Sequence, residues 1–208
     1  LVSRTHVVPI SHSQDTPGPM TRSVRDAAIL LTAIAGSDST DPATKEASGH
    51  AHDYAAQLNP AVLQGLAIGV VRPNLRPEMA ARFDAALAVL KAAGAVLKDV
   101  TPPEAKGVGA AEFEVLQYEV KADLSAYLAS TNAKRVPSRT LAELIALNRK
   151  QAAQAMPLFG QEIFETAEAK GPLTDADYVK ARELSRRLAG ADGIDKMLKD
   201  NKVQLLIT

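Results

Sequence analysis

The stretch "GLAIGVVRPNLRPEMAARFDAALAVLKAAGAVLKDV", residues 65–100, decides the fold class. Its first seven residues are a continuous apolar run of strand length with poor alternation, the pattern of a strand covered on both faces. Pro77 then stands at a first helical position, where its missing N–H costs nothing and its fixed φ suits a helix. Phe83, Leu87 and Leu90 share one helical face, and Gly94 closes the helix before the strand-like "AVLKDV", residues 95–100. Strand, helix and strand within about 35 residues is the length of a βαβ unit, whose crossover is right-handed. The class is therefore α/β, with parallel pairing.

Toward the N-terminus, Ser23 reads as a helix cap with Asp26 in the capping-box position, where the acid also complements the positive end of the helix dipole. Val24, Ala27, Leu31, Ile34 and Ala35 form its apolar stripe, and Gly36 is the expected stop. "SDSTDPAT", residues 37–44, is a turn-rich link. Residues 1–22 read as irregular, because Pro9, Pro17 and Pro19 remove donors and bias Val8, Thr16 and Gly18 away from helix.

Toward the C-terminus the pattern turns to long helices. Phe113, Leu116, Val120, Leu124 and Tyr127 share a face, and Leu141, Leu144 and Ile145 begin another. Pro157 and Gly160 interrupt before a final long helix capped by Thr174 with Asp177, with Leu184, Leu188 and Met197 as its buried residues. Val203, Leu205, Leu206 and Ile207 form a last buried strand. The organisation expected is one domain, with an α/β portion at 1–107, a helical region at 108–202 and a returning strand at 203–208.

Composition narrows the function. Twenty-four basic and 24 acidic residues cancel, so no summed field gathers nucleic acid or an anionic membrane. The longest apolar run, "AAILLTAIAG", falls short of the roughly 20 residues a membrane span requires. The absence of cysteine removes disulfides, thiolate nucleophiles and Cys-based zinc sites and favours a cytoplasmic location. The chain opens on Leu1 without the basic start and apolar stretch of a signal peptide, and it closes on a strand, so it reads as cut at both ends.

Few side chains suggest chemistry on their own. His50 and His52 flank Ala51 beside Asp53, yet their turn-rich setting reads as solvated surface rather than a metal site. In Ser11-His12-Ser13 a hydroxyl adjoins an imidazole, but adjacent side chains on an extended chain point apart, so this is not read as a nucleophile and base. Arg182, Arg186 and Arg187 read as a solvated helix face. Asp15 and Arg22 read as structural: Asp15 ties down loop amides and Arg22 pairs with an acid.

Residues 1–44, "LVSRTHVVPISHSQDTPGPMTRSVRDAAILLTAIAGSDSTDPAT", closely resemble the segment that follows the nucleophile in amidase signature enzymes. Ser3, Arg4, Thr5, Pro9, Ser13, Gln14, Asp15, Thr16, Gly18, Pro19, Met20, Arg22, Val24, Asp26, Ala27 and Ala28 occupy its motif in order. His6 stands where the family has a glycine, a residue free to take positive φ. "LQYEVKADLSAYLA" (116–129), "FGQEIFETAEAKGPLTDADY" (159–178) and "GIDKML" (193–198) resemble the helical region of the peptide-amidase-like branch.

The resemblance implies a mixed, mostly parallel sheet flanked by helices, and hydrolysis of a carboxamide through a serine acyl-enzyme with no metal or other cofactor. The family's serine nucleophile, cis-peptide serine and lysine base precede the matched segment, so no residue here inherits a catalytic role. The loop before the first helix, with Asp15, Arg22 and Asp26, is scaffold. Tyr118 and Glu119, off the apolar stripe of their helix, are expected to line the cleft that binds a small-molecule or peptide amide. The rival readings are a non-catalytic binding or assembly domain on the same scaffold and the amidase-like component of a transamidation complex. Exposed core surface is expected to drive self-association.

Overall fold

In the computed structural model, which describes residues 1–208, helices and three short strands follow one another along the chain. They run α1 (Val24–Ile34), β1 (Ala67–Val70), α2 (Pro77–Ala92), β2 (Val96–Asp99), α3 (Val108–Ser130), α4 (Leu141–Lys150), α5 (Ala152–Ala155), α6 (Glu162–Glu168), α7 (Ala176–Ala189), α8 (Asp195–Asn201) and β3 (Leu205–Ile207). Two compact units result: residues 1–55 with 109–183, and residues 56–108 with 184–208. The first 55 residues thus associate with the helical region.

The second unit carries the sheet. Its order is β2-β1-β3, with both pairings parallel: Ala67 opposes Val96, and Ile68 opposes Leu205. β1 is the central strand, so Ile68 and Val70 are buried, and this is why its sequence does not alternate. Pro77 opens α2 and Gly94 follows its end with φ of 93°, the left-handed conformation that glycine takes without strain. The final helix expected from the sequence is instead two. A five-residue π turn, Gly190–Ile194, separates α7 from α8, and a Cβ at Gly193 would lie 2.4 Å from the Leu188 carbonyl oxygen. Helix α7 starts at Ala176, one residue later than a cap at Thr174 would set it.

The first unit is built on α3, which uses two faces in succession. Its C-terminal half sets Val120, Leu124 and Leu128 against Leu141 and Ile145 of α4 and Ala167 of α6. Its N-terminal half turns Val115 and Tyr118 toward Tyr178 of α7. Phe113, expected in the stripe, is accordingly exposed. A single stripe cannot serve a 23-residue helix whose neighbours lie on different sides of its two halves.

The N-terminal segment is fastened by acids from the link after α1. Ser3 and Thr5 hydroxyls donate to Asp38 at 2.5 and 2.6 Å. Arg4 grips Asp41 with Nη2 at 2.6 Å and Nε at 3.0 Å, while its backbone N–H reaches the same carboxylate at 2.9 Å. Each residue of Ser-Arg-Thr therefore has an acidic partner, and "SDSTDPAT" is the socket for that motif rather than a simple link. Next to it, His6 has φ of 67°. A non-glycine residue there is strained by about 1 kcal/mol.

Two outcomes follow. His6→Gly raises unfolding stability by up to about 1 kcal/mol in a denaturant titration, because the left-handed strain disappears. The hydrogen bonds from Ser3, Thr5 and Thr40 hold the Asp38 carboxyl well below its ordinary range, and Arg4 does the same for Asp41. A pKa depressed in the folded state contributes stability that is complete above the unfolded value, about 4, and is lost as pH falls through the folded value. Asp41→Asn therefore lowers stability at pH 7 by on the order of 2 kcal/mol and flattens its decline between about pH 4 and 2. Thermal melts across that range measure both.

Candidate functional site

The polar loop between Pro9 and Pro17 is held at its base by its own carboxylate. Asp15 accepts the backbone N–H groups of Ile10 and Ser11, both at 2.9 Å, while the Asp15 N–H returns to the Ser11 carbonyl at 2.8 Å. This is the local closure open to an Asp a few residues beyond the amides it binds. The closed turn brings Ser11 and Ser13 to the same side. Their hydroxyls converge on one acceptor.

That acceptor is Glu119 of α3, whose side chain is fully buried at 0% exposure. The Ser11 and Ser13 hydroxyls and the Ser13 N–H donate to its Oε2, and the Tyr178 hydroxyl donates to Oε1 at 2.6 Å. Burial alone raises a carboxyl pKa, but the donors from Ser11, Tyr178 and Ser13 outweigh it, and the Glu119 pKa moves down. Glu119 is thus anionic at neutral pH. Burial, reinforced by the anion, pushes the Tyr178 phenol up to about 12, so it remains a donor.

His12, at the tip of the turn, spans two carboxylates. Its N–H and Nδ1 lie 2.7 and 2.9 Å from Asp123 Oδ2, and its Nε2 lies 3.5 Å from Glu119 Oε1. Its carbonyl accepts from Arg4 Nη1, which joins this cluster to the Arg4–Asp41 pair. An open cavity of about 410 Å³ lies against Arg4, His12, Ser13 and Asp15, and another of about 530 Å³ against Arg4, His12, Asp41 and Asp123.

Tyr118 and Glu119, expected to line a cleft, are both buried instead. Tyr118 is 6% exposed, stacked at 5.5 Å from the Tyr178 ring, with Lys170 Nζ 5.4 Å over its face. Glu119 has every carboxylate oxygen committed to the loop and to Tyr178. Both therefore face inward because α3 turns its N-terminal half toward α7. Arg22, expected to pair with an acid, is exposed and has no partner, since a guanidinium left in water needs none. Asp26 is exposed in the first turn of α1, where its N–H donates to Ser23 Oγ at 3.1 Å.

Sequence reading missed Asp38, Asp41, Asp123, Tyr178 and the convergence of Ser11 with Ser13. Treating 11–13 as extended hid that convergence. The side chains do not diverge in a turn as they do on a strand.

A chemical inventory of this cluster finds donors, acceptors and one imidazole. No serine hydroxyl bonds to a lysine amine, and the Ser11 hydroxyl donates to the Glu119 carboxylate, whose pKa is lowered. The arrangement fixes the loop to α3.

Known proteins that share this architecture include amidases. The amidase family model matches residues 1–198. The chain is 36% identical over 219 aligned residues to a probable amidase of Arabidopsis thaliana, covering 100% of this chain and 40% of that protein. It is 34% identical over 196 residues to a glutamyl-tRNA(Gln) amidotransferase subunit of Rhodospirillum rubrum, with 90% of this chain and 37% of that protein covered. The solved structure of native peptide amidase from Stenotrophomonas maltophilia superposes with a TM-score of 0.90 at 45% identity, over 99% of this chain and 42% of that one. The chain spans about two-fifths of the length of these relatives. The match to the amidase family over residues 1–198, nearly the whole length, places this chain in that family.

Proposed function

We propose that this chain is the supporting portion of a hydrolase acting on carboxamide C–N bonds. In that reaction a serine oxygen bonds to the carboxamide carbon, the C–N bond breaks with a proton delivered to the departing amine, and water then cleaves the acyl-enzyme ester. The serine, its partner serine and the lysine base belong in this reading to polypeptide that joins the segment at residue 1. The observation that carries it is the state of the loop serines. The Ser11 and Ser13 hydroxyls donate hydrogen bonds to buried Glu119, which suits a scaffold and not a nucleophile.

Within this reading Tyr118 and Glu119 shape the substrate wall from behind, by holding the 9–17 loop and α7 in register. The greater identity with the peptide amidase than with the tRNA-dependent amidotransferase favours a peptide or small-molecule amide as substrate over a tRNA-linked one. No helix of the chain is long and apolar enough to cross a membrane. The exposed apolar residues of α1, Val24, Ile29, Leu30 and Ile34, together with fully exposed Met20, supply the surface through which the chain by itself associates.

Ammonia release from a C-terminal peptide amide tests the reading. The 208 residues alone release none above the uncatalysed rate and elute from a sizing column larger than a monomer. Joined to the residues encoded ahead of Leu1, they hydrolyse the amide. Turnover by the 208-residue chain itself would contradict the proposal.

A further inference from the structure

Two carboxylates and one imidazole meet where the loop crosses α3. Buried Glu119 forms no ion pair with a lysine or arginine, Asp123 is a second carboxylate one helical turn further along, and His12 contacts both. One ligand atom from each of the three lies within 4.8 Å of the others. A metal held at about 2.1 Å by nitrogen and oxygen ligands in tetrahedral geometry separates them by about 3.4 Å. Closing the difference needs only a small swing of the His12 and Asp123 side chains, which are 43% and 18% exposed, while Glu119 stays in place.

From this geometry we infer that His12, Glu119 and Asp123 form a site for one divalent first-row metal ion of the zinc class, clipping the loop to α3. One imidazole with two carboxylates is a borderline donor set suited to Zn²⁺, Co²⁺ or Mn²⁺ rather than to soft ions that prefer sulfur. The surrounding bonds match what a ligating carboxylate requires. Glu119 is oriented by the hydroxyls of Ser11, Ser13 and Tyr178, the kind of outer partner that fixes metal ligands. The cavity of about 530 Å³ bordered by His12 and Asp123 supplies an entry path and room for water at the remaining coordination positions. On binding, the ion displaces the His12 Nδ1–Asp123 hydrogen bond and the longer contact to Glu119.

The site is invisible in sequence, because His12 is separated from its two partners by more than a hundred residues. The nearest sequence-local alternative, His50 and His52, lies elsewhere on the chain, with the His52 ring stacked 3.9 Å from Tyr54. It serves as the internal control.

Calorimetric titration of the 208-residue chain with zinc chloride, and the visible absorption of bound Co²⁺, test the assignment. One equivalent binds, and the thermal midpoint rises with metal concentration because the ion binds the folded state. His12→Ala and Asp123→Asn, each checked for folding by circular dichroism, weaken binding at least about tenfold and bleach the Co²⁺ bands, whereas His50→Ala with His52→Ala leaves both unchanged. Lack of saturable binding at millimolar zinc would overturn the proposal and leave a purely hydrogen-bonded latch. So would binding that survives both cluster variants, or that vanishes only with the His50 and His52 pair.

Discussion

A carboxylate at 0% exposure is the constraint around which the first unit is arranged. Removing an ion of that size from water costs several kcal/mol unless its lone pairs are met by hydrogen bonds. Glu119 meets that demand with two serine hydroxyls, one backbone N–H and one phenol, drawn from a loop over a hundred residues away and from α7. The loop cannot lift without stranding a buried anion. Its polar composition, which on its own resembles ordinary surface, follows from the need to supply donors inward.

A second anchor works at the other end of the same segment. Ser3, Arg4 and Thr5 insert into the acids that follow α1, and Arg4 also reaches the His12 carbonyl. The N-terminal 17 residues are therefore tied at both ends, through charge-assisted bonds that are short and directional. In the function proposed above such a platform supports a nucleophile loop, whose reacting groups must be held within a fraction of an ångström of their working geometry. The strain at His6 is tolerated because the neighbouring bonds fix the turn.

Local structure was legible in the sequence wherever one neighbour decided it. The continuous run at 65–71, Pro77 and Gly94 read directly into β1, α2 and its end, because burial on both faces, a first-turn proline and a left-handed glycine each act over a few residues. The motif in residues 1–44 likewise pointed to the amidase family. Tertiary partners were not legible. The change of buried face along α3 depends on α7 approaching one half and α4 the other, and no periodicity in residues 108–130 contains that information. Glu119 and Tyr118 stood out as lying off the expected apolar stripe, and only the fold reveals that both are buried. The π turn at 190–194 was hidden because Gly190 and Gly193 are also compatible with a continuous helix.

Whether Glu119 is an anion held by four donors can be tested at the carboxyl carbon itself. With ¹³C-labelled glutamate, the Glu119 resonance is followed through an acid titration and assigned by its loss in Glu119→Gln. The account predicts a midpoint below that of the exposed glutamates of the same chain. A midpoint at or above theirs would mean that desolvation prevails over the hydrogen bonds, and that the loop is not clamped by a buried charge.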